Sequence, residues 1–146
     1  MNETKREVRI LIAEDDEGHA ELIQDSLKEA GVTNEIIRFR DGQETIDYIM
    51  ENPDLERRPC LLLLDIRMPR MDGIDVLKRL KSDPRTRNMP VIMLTTTDDP
   101  REIRQCYDLG CNCYVTKPVD YQKFSEVMNR LGLFLVIIQI PDPAGA

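Results

Sequence analysis

Five short apolar runs, at 8–13, 35–39, 60–64, 91–94 and 112–115, are separated by segments in which apolar residues return at helical spacing. Strands that alternate with helices run parallel, because each helix carries the chain back to the edge from which the next strand starts. The run Cys60-Leu61-Leu62-Leu63-Leu64 has no charged position and belongs in a sheet covered on both faces. The chain therefore reads as α/β, a doubly wound five-stranded parallel sheet. Strand order 2-1-3-4-5 is a common solution at this size.

The intervening segments carry their own start and stop signals. The first places Ala20, Ile23, Leu27 and Ala30 on one face and Glu21, Gln24, Asp25 and Lys28 opposite, and Gly31 suits a left-handed cap. The second follows Asp41-Gly42 with Ile46, Ile49 and Met50, and the third follows Gly73 with Ile74, Leu77 and Leu80. The fourth opens on Asp99-Pro100, a cap followed by proline at the first helical position, and stops at Gly110. No repeat or linker divides the 146 residues, so a single domain over 1–146 is expected.

Composition excludes several classes. A net charge of −7 argues against binding to a phosphate backbone, which needs basic patches. Cys60, Cys106, Cys111 and Cys113 form no CxxC pair, so neither a zinc site nor a thioredoxin motif is indicated, and reduced core thiols are expected. Residues 1–7 lack the apolar stretch of a secretory signal, and no window approaches the roughly 20 apolar residues of a membrane span. No membrane association is expected, and the cytoplasm is the expected compartment.

Asp65 ends the most apolar run, at the sheet edge where α/β proteins bind ligands, and a carboxylate there can attack phosphorus or hold a hard cation. Glu14-Asp15-Asp16 follows the first run in the same way. Adjacent strands would bring these carboxylates into one acidic pocket. Mg²⁺ suits it, since that ion takes one or two carboxylates, several waters and phosphate oxygens. Alone, Asp15 and Asp16 would read equally well as a turn and a helix cap.

Thr95 ends the fourth run and Lys117-Pro118 follows the fifth. Each has an ordinary explanation in isolation, as a strand-end hydroxyl and a solvated lysine. Together they add a hydroxyl donor and a compact positive charge to the carboxylates, the set that stabilises a transferring phosphoryl group. The residues point to phosphoryl transfer onto Asp65.

As a set these motifs resemble the receiver domain of two-component response regulators, from about 9 to 131. They are Glu14-Asp15 after an apolar strand, Leu64-Asp65 with Met68-Pro69-Arg70-Met71-Asp72-Gly73, Leu94-Thr95, and Tyr114-Val115-Thr116-Lys117-Pro118. The resemblance implies the flavodoxin-like receiver fold and a signalling protein that catalyses only its own phosphorylation and dephosphorylation. It makes Asp65 the acceptor of a phosphoryl group from the phosphohistidine of a sensor histidine kinase. Mg²⁺ would be held by Asp15, Asp65 and the backbone carbonyl of Arg67, with Glu14 reaching it through water. Asp16 falls one place beyond the acidic pair and is assigned to capping. The resemblance also gives Thr95 and Lys117 to the phosphoryl oxygens, makes Tyr114 a switch aromatic that turns inward when Thr95 moves, and expects a cis bond before Pro118. Arg67 and Thr97 occupy pocket positions that vary in the family and are expected to tune the lifetime of the phosphoryl group.

After Tyr121 the fifth helical segment shows Phe124, Val127, Met128 and Leu131 on one face, then overshoots into Leu133, Phe134, Leu135, Val136, Ile137, Ile138 and Ile140. This apolar helical extension at about 120–140 is too short for a bilayer and too apolar to face water all round. It reads either as a longer buried helix or as a partner surface. We adopt the second, a twofold homodimer through helix 4, strand 5 and helix 5. The Gly132-Leu133-Phe134 sequence and the tail Pro141-Asp142-Pro143 resemble stand-alone response regulators associated with bacterial phytochromes, implying a phytochrome-type kinase as partner. Because the chain ends soon after the fifth helix, no attached output domain is expected. Output would then be by protein contact, or the chain would act as a phosphorelay shuttle.

Two other classes compete. An aspartate-nucleophile phosphatase of the haloacid dehalogenase type needs a second aspartate two residues after the nucleophile, where Arg67 stands here. A pseudo-receiver that signals only by binding would lack the acidic pair, the acceptor or the lysine, and all are present. His19, the single histidine, is expected to be solvated or to serve the helix cap rather than carry a phosphoryl group.

Overall fold

The computed structural model describes residues 8–52, 55 and 59–137. Strands and helices alternate as β1 (Arg9–Ala13), α1 (Glu17–Glu29), β2 (Ile36–Phe39), α2 (Gly42–Met50), β3 (Cys60–Leu64), α3 (Gly73–Lys81), β4 (Val91–Thr95), α4 (Pro100–Leu109), β5 (Cys113–Thr116) and α5 (Tyr121–Ile137). All neighbouring strands pair parallel, in the expected order β2-β1-β3-β4-β5. The chain steps to opposite sides of β1 for β2 and β3, and at such a reversal the helices leave a crevice at the strands' C-terminal ends.

Period-two alternation divides the core between the two faces of the sheet. Leu11, Leu62, Leu64 and Met93 join Ile46, Ile49, Val76, Leu77, Leu80 and Cys106, so α2, α3 and α4 cover one face. Ile10, Ile12, Leu61, Leu63 and Leu94 join Ile23, Leu27, Phe124 and Met128 under α1 and α5. Each fully buried aliphatic side chain contributes roughly 1.5–3 kcal/mol, so the central strands β1, β3 and β4 anchor the domain. The cysteines are free thiols, three of them buried, and burial pushes the Cys106 thiol up to about 11.

The same local device opens every helix. Asp16, Asp41, Asp72 and Asp99 accept backbone N–H bonds from His19, Glu44, Asp75 and Arg101, and Asp120 accepts from Gln122 and Lys123 ahead of α5. Such a cap contributes about 1 kcal/mol and fixes where each loop turns into helix. Gly31 and Gly110 close α1 and α4 at φ 102° and 108°, the left-handed stops read from the sequence. β5 starts one residue later than its apolar run, because Asn112 meets Val91 through both backbone and side chain before the ladder begins.

Gly73 brings the first turn of α3 against the end of β3. A Cβ there would lie 2.1 Å from the Asp65 carbonyl oxygen, and the loop between them cannot relax without moving Asp65. Gly73→Ala is therefore expected to destabilise the fold by about 3 kcal/mol, read from its urea midpoint.

α5 runs straight through Gly132, whose missing side chain lets it cross α1: a Cβ there would sit 2.6 Å from the Ala30 Cβ. Beyond this crossing Leu133 and Phe134 are half exposed. The expected extension is described as far as 137. Ile138, Ile140 and the proline-containing tail lie outside the described residues. Among the described residues, no helix is long and apolar enough to cross a membrane.

Candidate functional site

β1 and β3 are adjacent with Ala13 opposite Leu64, so Glu14 and Asp65 emerge side by side. The backbone holds both: Asp65 N–H donates to the Ala13 carbonyl at 3.1 Å, and Glu14 N–H donates to the Phe39 carbonyl at 3.0 Å. Carboxylate oxygens of Glu14, Asp15 and Asp65 lie within 4.8 Å of one another. Glu14 and Asp65 are buried, whereas Asp15 faces solvent. At the end of β5, Lys117 N–H donates to the Thr95 carbonyl at 2.7 Å, which locks these two residues together. The Lys117 ammonium turns inward, donating to Glu14 Oε1 and to Asp65 Oδ2, the latter at 3.3 Å. The chain thus brings Glu14, Asp15, Asp65, Thr95 and Lys117 to one sheet edge.

The balance of charge is unfavourable without a cation. Burial first, and the neighbouring Asp65 charge second, push the Glu14 carboxyl up to about 7, although Lys117 pulls it down. Asp65 Oδ1 and Thr95 Oγ1 are buried with no hydrogen-bond partner. An orphaned buried acceptor costs about 1–3 kcal/mol, and a hard cation with hydrated or phosphoryl oxygens meets what both atoms lack. The donor set, carboxylate oxygen throughout, fits Mg²⁺ or Mn²⁺.

A pH dependence follows for the metal-free protein. Between its ordinary value near 4.5 and about 7, Glu14 is more protonated in the folded chain than in the unfolded one. Folding stability therefore falls as pH rises through that window, by on the order of 2 kcal/mol. The carboxyls held low, Asp16 by the His19 N–H and Asp83 by the Arg85 N–H, lose their stabilisation only below the ordinary carboxylate range. Urea midpoints measured in chelator from mildly acidic to mildly alkaline buffer should show the decline. Glu14→Gln should flatten it, and a decline that survives this variant would assign it to another group.

Four placements differ from the sequence reading or add to it. The bond before Pro118 is trans, not cis: trans is favoured by about 0.5–1 kcal/mol before proline, and Lys117 reaches both carboxylates from it. His19 serves the cap through its backbone N–H, as expected, and its partly buried side chain adds a contact. Its Nδ1 stands 3.1 Å from Lys117 Nζ and its ring meets Phe124 edge-on at 5.3 Å. The only signal in the sequence was its place one helical turn after Asp15. The Arg67 side chain pairs with Glu102 in the first turn of α4 at 3.2 Å, a particular partner with no sequence signal. Tyr114 is half-buried; its hydroxyl donates to the Thr97 carbonyl at 2.8 Å, and burial pushes that phenol up to about 12.

The family model described as response regulator receiver domain matches residues 10–129. Response regulator Rcp1 of Synechocystis sp. is 36% identical over 127 residues, covering 86% of each chain. A crystal structure of its Mn²⁺-bound form aligns with a TM-score of 0.82 at 29% identity, over 91% of this chain and 98% of that one. The crystal structure of a response regulator receiver domain from Rhodospirillum rubrum aligns with a TM-score of 0.87 at 48% identity, over 94% and 99%. That of the phosphorylated cyanobacterial phytochrome response regulator RcpA aligns with a TM-score of 0.83 at 33% identity, over 91% and 97%.

Proposed function

Because the chain belongs to the response regulator receiver family of two-component signalling, we propose that Asp65 accepts a phosphoryl group from the phosphohistidine of a sensor histidine kinase. An Asp65 carboxylate oxygen attacks phosphorus, the phosphorus–nitrogen bond breaks, and its electron pair returns to the kinase imidazole. Asp15, Asp65 and the backbone carbonyl of Arg67 would hold Mg²⁺, with Glu14 reaching it through water, and the ion supplies positive charge to the phosphoryl oxygens. Lys117 exchanges its bond to Asp65 for one to a phosphoryl oxygen, and Thr95 Oγ1 donates to another. The observation that carries this reading is the buried Lys117 ammonium bridging Glu14 and Asp65 beside the unpartnered Asp65 Oδ1 and Thr95 Oγ1.

Signalling then follows from the Thr95 movement. Tyr114 stands on β5 opposite Met93, two residues before Thr95 on β4, and its bond to the Thr97 carbonyl keeps the ring over the loop into α4. Drawing that loop toward the phosphoryl group breaks this bond and lets the ring turn inward, which changes the surface of α4, β5 and α5. Tyr107 on α4 and Leu133 and Phe134 on α5 expose apolar area, and a homodimer through these helices would cover it. The partner kinase is of the phytochrome type, by likeness to RcpA. The protein works in the cytoplasm without binding nucleic acid, consistent with its net charge of −7.

The test is intact-protein mass after incubation with acetyl phosphate, with Mg²⁺ or with chelator, alongside light scattering. One phosphoryl adduct that requires Mg²⁺ is expected. No adduct under any condition would replace this reading with a receiver that signals by binding alone.

A further inference from the structure

A lysine ammonium has three protons to donate. Lys117 finds three acceptors: Glu14 Oε1, Asp65 Oδ2 at 3.3 Å and His19 Nδ1 at 3.1 Å. The first two belong to the carboxylate cluster, and a cation or a phosphoryl group would draw on both. His19 lies outside that cluster. We propose that His19 is a positioning residue for Lys117, a neutral acceptor that keeps the ammonium aimed at the phosphoryl site when the carboxylates are engaged elsewhere; this rests on the phosphoryl-transfer reading of Asp65.

The imidazole is fixed from two sides. Its backbone N–H is tied to Asp16 Oδ1 at 2.9 Å in the first turn of α1. Its ring meets Phe124, a buried residue of α5, at 71° between planes, and Lys117 Nζ lies 5.9 Å from the centre of the same phenyl ring. Two helices therefore set where the Nδ1 lone pair points, and that lone pair sets one of the three directions of the ammonium. The contact also assigns the tautomer. Nδ1 can accept from an ammonium only if the ring proton is on Nε2, because a proton on Nδ1 would be aimed at three others.

Two measurements test this. Long-range ¹H–¹⁵N correlation of the imidazole in mildly alkaline buffer should show the Nε2–H tautomer, and finding the proton on Nδ1 would overturn the assignment. Phosphorylation by acetyl phosphate should then be followed in wild type, His19→Leu and His19→Asn. Leucine keeps apolar bulk against Phe124 and removes the acceptor; asparagine can place its Oδ1 near the position of Nδ1. His19→Leu should lower the maximal rate about tenfold, the scale of one lost hydrogen bond to a charged group, without changing the Mg²⁺ concentration at half-saturation. His19→Asn should recover most of that rate. A wild-type rate in His19→Leu, or an equal loss in both variants with melting temperatures unchanged, would overturn the positioning role. If wild-type protein takes up no phosphoryl group, Asp65 is not a phosphoryl acceptor, and the tautomer alone then decides whether His19 seats Lys117.

Discussion

Asp65→Asn is expected to abolish the Mg²⁺-dependent phosphoryl adduct completely while leaving the fold intact. The amide has nearly the shape of the carboxylate, so the loop packed against Gly73 need not move. What disappears is the nucleophile, since an amide oxygen cannot form the acyl phosphate. The same change removes one of two buried carboxylates that face a single lysine. Glu14 is then the one carboxylate left facing Lys117, and the second-largest cause of its upward shift is gone. The metal-free variant should be more stable than wild type by about 1 kcal/mol in neutral buffer, with a shallower fall in stability between mildly acidic and neutral pH. Added Mg²⁺ should stabilise it less than wild type, because one ligand has lost its charge. Mass spectrometry and urea titration on the same preparations check all three outcomes. A phosphoryl adduct of unchanged yield in the variant would remove Asp65 from the centre of the mechanism.

The parts of the site legible in the sequence are those that strand ends dictate. Glu14, Asp65, Thr95 and Lys117 each sit at or just beyond the C-terminal end of an apolar run, and a parallel sheet carries all such ends to one edge. Their convergence followed from topology alone. Contacts that depend on how a helix is rotated against its neighbours left no such mark. His19 reaches Lys117 because the start of α1 lies against α5, where Phe124 meets the imidazole. Glu102 reaches Arg67 only because α4 starts beside the loop after β3. The trans bond before Pro118 was missed for another reason: it is set by a free-energy difference of about 0.5–1 kcal/mol, which local tertiary contacts decide either way.

Lys117→Met should be the most destabilising of these substitutions, and its cost should depend on pH. Methionine fills the stem's volume, but Glu14 and Asp65 are left buried without their cation. Stranding one side of a buried ion pair costs about 3–5 kcal/mol. Part of that cost can be avoided by protonation. Glu14 already sits at about 7 with Lys117 pulling it down through charge and hydrogen bond, so losing both moves it further up. The folded variant then holds a proton over a wider range than wild type, and its stability falls more steeply as pH rises. The loss relative to wild type should thus be larger at about pH 8 than at about pH 5, by on the order of 1 kcal/mol. Mg²⁺ should restore part of the stability at the higher pH, since it neutralises the same carboxylates. It should not restore the rate: the phosphoryl oxygen that Lys117 would hold has no replacement donor, and phosphorylation by acetyl phosphate should remain down by about 10²–10³. Urea midpoints at the two pH values, with and without Mg²⁺, separate the electrostatic cost from a packing defect, which would be equal at both. A variant phosphorylated at the wild-type rate would show that the ammonium holds the empty site together and takes no part in the transfer.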